Sequence, residues 1–370
     1  MSRIHTLTMP KWGLSMTEGR VDAWLKQDGE TIEKGDAVLD VETDKISSSV
    51  EAPFSGVLRR QVAREDETLP VGALLGVVVE GDASEAEIDA VVERFQAEFV
   101  PGGDGEADSG PAPQKVELDG RTLRYFERGE GGDALLLIHG FGGDLNNWLF
   151  NHEALAADRR VIALDLPGHG ESGKQLQRGD LDELSDAVLA LLDHLDIEQA
   201  HLAGHSMGGA VALNTARRAP ERVRSLSLLA SAGLGEEING AYLQGFVDAA
   251  NRNALKPPLV QLFSDPALVT RQMLEDMLKF KRLEGVDSAL RLLSSQLFGD
   301  GRQQVALRDV LASGAPPALV IWGDADAIIP ARHAEGLQAE VHVLPGQAHM
   351  LQMEAADAVN ALLLDFLQRH

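Results

Sequence analysis

Gly204-His205-Ser206-Met207-Gly208 is the stretch that decides the fold of the carboxyl-terminal part of the chain. The segment His201-Leu202-Ala203 precedes it and indicates a strand, and the pattern of residues 210–218 is typical of a helix. A Gly-x-Ser-x-Gly motif between a strand and a helix predicts a sharp turn that holds the serine oxygen clear of the backbone. Ser206 is therefore the candidate nucleophile.

Alternating strands and helices surround this motif on both sides. Apolar runs predict strands at residues 135–139, 161–166 and 341–344, a hairpin at 116–118 and 123–127 around Asp119-Gly120, and helices at 181–195 and 355–367. This alternation favours a doubly wound sheet whose ligand-binding loops lie at the carboxyl ends of the strands. A mostly helical stretch, from 236 to about 311, is long enough to form a lid.

Residues 116–370 resemble the α/β-hydrolase superfamily, in which a serine, an acid and a histidine follow in that order along the chain. Trp322-Gly323-Asp324-Ala325-Asp326 begins a stretch that matches the superfamily's acid loop, and Gly346-Gln347-Ala348-His349 matches its histidine loop. The resemblance implies a catalytic triad of Ser206, Asp326 and His349. Asp324 is the alternative acid, but the superfamily's acid stands four residues before a proline, here Pro330, which favours Asp326.

The resemblance also implies how these groups act. His349 removes the proton of Ser206 as the serine attacks a carbonyl carbon, while Asp326 holds the imidazole tautomer and stabilises its charged form. The backbone N–H groups of Phe141 and Met207 take the superfamily's positions for stabilising the oxyanion. The stretch Asp165-Leu166-Pro167-Gly168-His169-Gly170 also matches the superfamily, and we interpret it as structural.

The first eighty residues contain an internal repeat. A shift of 37 positions aligns Gly19 with Gly56, Glu30-Thr31-Ile32 with Glu67-Thr68-Leu69, and Gly35 with Gly72. Neither half is large enough to bury its own apolar face, so the two sets of short strands are predicted to close together as an all-β flattened barrel. The duplication places Glu42-Thr43-Asp44-Lys45-Ile46 at a hairpin tip at the end of the first half.

This geometry, with its Asp-Lys tip, resembles the lipoyl domains of 2-oxo-acid dehydrogenase complexes over residues 3–80. The resemblance implies lipoic acid, amide-linked to Lys45, as a covalent cofactor. Biotin carriers share the fold, but their lysine stands between methionines, and Asp44 and Ile46 depart from that pattern. An ordinary solvated hairpin lysine is the remaining alternative.

A short helix and a tether connect the two halves. Ser84 and Glu87 form a predicted capping box, and apolar residues from Ile88 to Phe99 follow on one helical stripe, which packs on one of the chain's own domains or docks a partner. Residues 101–113 are too rich in glycine, proline and charge to pack, and they predict a flexible linker. The predicted boundaries are a lipoyl domain at 1–82, helix and linker at 83–115, and a catalytic domain at 116–370.

Composition excludes several classes of function. The formal charge of -25 disfavours nucleic-acid and anionic-membrane partners. The absence of cysteine excludes disulfides, a thiolate nucleophile and cysteine-ligated metal, and we predict no metal site. The amino terminus lacks a signal-peptide pattern and no apolar run is long enough to span a bilayer, so we expect a cytoplasmic protein.

A lipoyl domain fused to an α/β-hydrolase domain resembles the acyltransferase components of acetoin dehydrogenase-type complexes. The resemblance implies transfer of an acetyl group from dihydrolipoyl-Lys45 to coenzyme A as cosubstrate, with a thiamine diphosphate-dependent dehydrogenase component and lipoamide dehydrogenase as partners. From its chemistry, we expect Ser206 to carry the acyl group in between. The alternatives are a serine esterase or thioesterase, and a lipoyl carrier with a degenerate catalytic half.

Lys279-Phe280-Lys281-Arg282 is either a phosphate-binding cluster for the cosubstrate or a solvated helix face.

Overall fold

A computed structural model describes residues 3–10, 18–42, 47–81, 83–99, 112–312 and 316–370. The chain divides into two compact units, Met1–Gly110 and Pro111–His370, and each is described by itself. The predicted boundaries at 82/83 and 115/116 remain a prediction. Within the described residues, the helices are too short or too polar to span a membrane.

In the part that the structure describes, the first unit is a sandwich of two four-stranded sheets. Its strands are β1 (Arg3–Thr8), β2 (Glu18–Trp24), β3 (Thr31–Ile32), β4 (Ala37–Glu42), β5 (Ser47–Glu51), β6 (Gly56–Gln61), β7 (Thr68–Pro70) and β8 (Leu74–Glu80). One sheet has the order β1-β8-β6-β3 and the other β5-β4-β2-β7. The all-β prediction is therefore confirmed, and side chains such as Val21, Leu39, Leu58 and Val78 fill the space between the sheets.

The strand register follows the 37-residue repeat. Gly19 of β2 pairs with Leu69 of β7, and the equivalent Gly56 of β6 pairs with Ile32 of β3. A Cβ at Gly56 would lie 2.8 Å from both the carbonyl oxygen of Val79 and a methyl of the preceding valine. Because real Cβ atoms do not approach so closely, only glycine fits where these strands meet.

Described strands precede and follow the predicted lipoyl-lysine hairpin in the chain. β4 and β5 are antiparallel, and Glu42 lies opposite Ser47. Lys45 and the other residues of 43–46 lie outside the described residues, as does most of the predicted linker. The assignment of Lys45 therefore remains a prediction.

Helix α1 (Glu85–Glu98) belongs to the first unit. Ser84 caps it as predicted, because the serine oxygen accepts the Glu87 N–H and the Glu87 carboxylate accepts the Ser84 N–H. Ile88 is fully buried against valines of β8. Arg59 and Arg60 of β6 each donate to the Glu85 carboxylate at 2.6 Å. The apolar stripe therefore packs on a domain of its own chain.

The second unit contains a mixed sheet of eight strands among the described residues. Its strands are β9 (Gln114–Leu118), β10 (Arg121–Arg128), β11 (Ala134–Ile138), β12 (Val161–Asp165), β13 (Ala200–His205), β14 (Val223–Leu229), β15 (Ala318–Gly323) and β16 (Glu340–Leu344). The order is β16-β15-β14-β13-β11-β12-β10-β9. Only the β9-β10 hairpin and its pairing to β12 are antiparallel among these contacts. Every residue of β11, β12, β13 and β15 is buried, as expected for parallel strands covered on both faces.

Helices surround this sheet and form the lid. They are α2 (His152–Leu155), α3 (Leu181–His194), α4 (Met207–Arg218), α5 (Gly240–Asp248), α6 (Arg252–Val260), α7 (Arg271–Lys281), α8 (Val286–Leu297), α9 (Leu351–Glu354) and α10 (Ala356–Arg369). α5 to α8 come between β14 and β15, within the stretch that the sequence predicts as a lid. The doubly wound sheet with a helical lid is confirmed.

Candidate active site

Ser206 lies at the sharp turn between β13 and α4. Its φ of 53° and ψ of -119° are unusual for a residue with a side chain, and such strain persists only where the surroundings impose it. A Cβ on Gly204 would overlap the backbone of Gly208, and one on Gly208 would overlap the carbonyl of Ile138. The glycines of the motif are therefore required by close backbone packing, which is the geometry of a nucleophile elbow.

His349 and Asp326 come together at the carboxyl ends of β15 and β16. His349 Nδ1 lies 2.8 Å from Asp326 Oδ2, and both side chains are almost completely buried. The carboxylate can only accept, so Nδ1 carries the proton and Nε2 is left to accept one. His349 and Ser206 line the same cavity.

Four donors hold the Asp326 carboxylate in place. Oδ1 accepts the backbone N–H groups of Ile328 at 2.8 Å and Ile329 at 3.0 Å. Oδ2 accepts Trp322 Nε1 at 3.1 Å in addition to His349. Asp324, the alternative acid, is exposed and accepts the Gly346 N–H at 2.7 Å. The structure thus places Asp326, and not Asp324, against His349.

Of the two residues predicted to donate to the oxyanion, Met207 directly follows Ser206 in the chain and Phe141 lies on a loop that passes close to Ser206. Met207 is the first residue of α4, so its N–H has no partner within the helix. Phe141 follows β11 and lines the cavity together with its glycine neighbours Gly140, Gly142 and Gly143. A Cβ on Gly140 would lie 3.0 Å from the Ser206 Cβ, which shows how closely this loop passes the serine.

The cavity above Ser206 is predominantly apolar. Together with the open solvent at its mouth, it comprises about 760 Å³ of space not occupied by protein atoms. Lid residues supply much of its wall, namely Tyr242, Leu243, Phe246, Met273, Met277 and Phe298. Burial raises the pKa of Tyr242, and the nearby Asp326 carboxylate raises it further, so this hydroxyl stays protonated. The lining suits an apolar ligand.

His205 is a site residue that the sequence does not single out, since it occupies a variable position of the motif. Its Nε2 donates to the His349 carbonyl oxygen at 2.9 Å, and the two imidazole rings lie 4.8 Å apart. Burial, followed by the charge of His349, lowers the pKa of His205 well below its usual value. A neutral His205 therefore links the loop that carries His349 to the turn that carries Ser206, and it places no positive charge of its own beside His349.

Two further predictions concern residues around the site. Asp165 is fully buried and accepts the backbone N–H groups of Leu145 and Glu171 at 2.8 Å, which agrees with its structural interpretation. Lys281 belongs to the basic run for which the sequence leaves phosphate binding and a solvated helix face as alternatives, and it donates to the carbonyl oxygens of Phe246 and Val247 at the end of α5. Burial lowers its pKa. Phosphate binding by residues 279–282 stays an untested alternative.

Comparison with known proteins gives the family of the chain. Residues 133–356 match the alpha/beta hydrolase fold family, and residues 5–78 match the biotin-requiring enzyme family. The chain is 75% identical, over the full length of both proteins, to the dihydrolipoyllysine-residue acetyltransferase component of the acetoin cleaving system of Pseudomonas putida. The chain belongs to this family of acetyltransferase components.

A second member of the acetyltransferase family and a solved structure extend the comparison. The corresponding component from Cupriavidus necator is 48% identical over 97% of this chain and 96% of its own length. The structure of a meta-cleavage product hydrolase from Pseudomonas fluorescens IP01 is 25% identical, covers 69% of this chain and 97% of its own, and superposes with a TM-score of 0.63. The predicted family and both predicted domain folds are confirmed.

Proposed function

We propose that the chain transfers an acetyl group from dihydrolipoyl-Lys45 to coenzyme A through an acyl-Ser206 intermediate. The observation that carries this proposal is that Ser206 and His349 line one apolar cavity while Asp326 contacts His349 at 2.8 Å, in a chain that also contains a lipoyl-type domain. The names of the two full-length relatives support it, since both are acetyltransferase components of an acetoin cleaving system.

The proposed triad accounts for the first half of the reaction. Nε2 of His349 accepts the proton of Ser206 as the serine oxygen attacks the thioester carbonyl carbon. Asp326 keeps the imidazole in the required tautomer and stabilises the imidazolium that forms. The N–H groups of Phe141 and Met207 donate to the developing oxyanion, and one such donor contributes about 3 kcal/mol. The leaving thiolate takes the proton back from His349.

The second half reverses these roles with coenzyme A. His349 accepts the thiol proton as the sulfur attacks the carbonyl carbon of acyl-Ser206. The bond between that carbon and the serine oxygen breaks, and the proton passes from His349 to the oxygen. Acetyl-CoA leaves, and Ser206 returns to its starting state.

Lys45 is the proposed attachment site of lipoic acid, which supplies the thiol that carries the acetyl group. The described strands support this, because Glu42 pairs with Ser47, so the two strands that flank this position in the chain are adjacent. A thiamine diphosphate-dependent dehydrogenase and lipoamide dehydrogenase are the proposed partners. Intact mass after coexpression with a lipoyl ligase tests the attachment. A chain that does not gain a lipoyl group, or a Lys45→Arg variant that does, would contradict it.

Hydrolysis is the second candidate function, favoured by the similarity of the catalytic unit to a solved hydrolase. Water would then replace coenzyme A in the second half of the reaction and release acetate. Incubation with S-acetyl-dihydrolipoamide and coenzyme A, with acetyl-CoA and acetate measured together, separates the two functions. Acetyl-CoA as the main product is expected, and acetate as the sole product would refute the transfer.

A further inference from the structure

An aromatic cluster joins the lid to the predicted oxyanion loop. Phe246 of α5 is 1% exposed, and its ring meets that of Phe141 edge to face, with centroids 5.9 Å apart. Phe298 meets the same Phe141 ring from the lid at 6.0 Å. All three residues line the cavity that contains Ser206. The lid thus places two phenyl rings on the loop that would hold the oxyanion.

Phe246 packs directly on the backbone of this loop. A Cβ on Gly142 would lie 2.5 Å from the Phe246 ring, so the ring occupies the space that any side chain at position 142 would need. Gly142 also has a φ of 73°, a conformation that glycine adopts without strain. The Phe246 ring therefore packs against the backbone of Gly142, the residue next to Phe141.

Lys281 of α7 holds Phe246 in this position. Its ammonium group donates to the Phe246 carbonyl oxygen at 2.6 Å and to that of Val247 at 3.0 Å. The same nitrogen lies 4.8 Å from the centroid of the Phe246 ring, within the range of a cation–π interaction. Both the backbone and the ring of Phe246 are thus fixed by a neighbouring lid helix.

We infer that Phe246 determines the partition of acyl-Ser206 between the coenzyme A thiol and water, because its ring excludes water from the face of the ester next to the oxyanion loop. The inference rests on the proposed function. The hydrolase relative shows that this fold accommodates hydrolytic enzymes, so the fold alone does not select the acceptor. An apolar wall over the acyl group disfavours a small polar nucleophile more than a thiol on a long arm.

The two outcomes differ only in the acceptor. In transfer, the thiol sulfur bonds to the acyl carbon, the carbon–oxygen bond to Ser206 breaks, and the thiol proton passes through His349 to the serine oxygen. In hydrolysis, a water oxygen makes the new bond, one water proton takes the same route, and acetate is released with the other proton. The ratio of acetate to acetyl-CoA therefore measures the partition of one common intermediate.

The test compares Phe246→Ala and Phe246→Leu with the wild-type chain, with S-acetyl-dihydrolipoamide labelled in the acetyl group as donor and coenzyme A as acceptor. We expect the acetate to acetyl-CoA ratio to rise about tenfold in Phe246→Ala, which corresponds to about 1.4 kcal/mol between the two barriers. A smaller rise is expected in Phe246→Leu, which keeps an apolar side chain there. Phe150→Ala removes a phenyl group from a partly exposed position outside the cavity lining and should leave the ratio unchanged.

The ratio distinguishes shielding from a merely structural role. If Phe246 only stabilised the lid, both products would fall in parallel and the ratio would stay within about twofold of wild type, since parallel losses leave the barrier difference unchanged. That result would overturn the inference. If Phe246→Ala does not fold, the ratio in Phe246→Leu decides by the same criterion. Acetate as the sole product of the wild-type chain would instead refute the proposed transfer itself.

Discussion

Replacing Asp326 with asparagine tests the proposed triad at the residue whose surroundings the structure defines most fully. One carboxylate oxygen accepts two backbone N–H groups, at 2.8 and 3.0 Å. The other accepts His349 Nδ1 at 2.8 Å and Trp322 Nε1 at 3.1 Å. Asparagine has one oxygen, and we expect it to stay on the two backbone donors. Its NH2 group then faces His349.

This exchange reverses the hydrogen bond to the imidazole. Because an NH2 group only donates, the favoured tautomer of His349 has a bare Nδ1 and a proton on Nε2. Nε2 then cannot accept the proton of Ser206. Loss of the correct tautomer in a triad of this kind lowers kcat by about four orders of magnitude, which corresponds to about 5.5 kcal/mol of transition-state stabilisation.

Steady-state formation of acetyl-CoA from S-acetyl-dihydrolipoamide measures this loss. Asp324→Asn is the matched control, since the exposed Asp324 accepts a single backbone N–H that an asparagine oxygen can also accept. We expect the control to stay within about threefold of wild type, as for a preserved surface hydrogen bond. A folded Asp326→Asn chain that loses less than about a hundredfold, or an equal loss in Asp324→Asn, would refute the assignment of the acid.

Three further predictions concern the nucleophile, a buried histidine and the helix cap. Ser206→Ala should lower turnover by about six orders of magnitude, and near-wild-type acetyl-CoA formation would reject the acyl-serine route. Burial lowers the pKa of His152 to about 4. Between pH 6.5 and 4 the unfolded chain therefore binds a proton that the folded chain does not. As the pH is lowered through this range, the free energy of unfolding decreases by up to about 3 kcal/mol. His152→Phe should flatten this part of the pH profile in denaturant titrations, and an unchanged profile would contradict the shift. Ser84→Ala should cost about 1 kcal/mol of first-unit stability in the same titrations, whereas no loss would show that the cap contributes nothing.

The features that the sequence predicts well are those that depend on residues close together in the chain. The Ser206 turn is specified by glycines that admit close backbone contacts. The Asp119-Gly120 turn has positive φ at both residues, as a tight hairpin of this kind requires. The capping box at Ser84 needs only a residue three positions further on. Each of these follows from local conformational preferences.

The roles of His205, Phe246 and Lys281 could not be predicted in this way. His205 bonds to the backbone of a residue 144 positions away. Lys281 occurs in a basic run for which the sequence offers phosphate binding or a solvated helix face. In the structure it donates to the last carbonyl groups of α5, which have no partner within their own helix.

The sequence by itself determined the repeat and predicted the two fold classes, because motif spacing and apolar periodicity specify backbone conformation locally. Its resemblance to known families supplied the residues proposed for the triad and for lipoic acid attachment. Only the tertiary structure decided that Asp326 rather than Asp324 contacts His349, that His205 holds the histidine loop, and that a lid phenylalanine covers the loop next to Ser206. These contacts join segments that are distant in the chain. Their geometry exists only after the sheet and lid have packed, since no local preference encodes which distant side chain fills a given space.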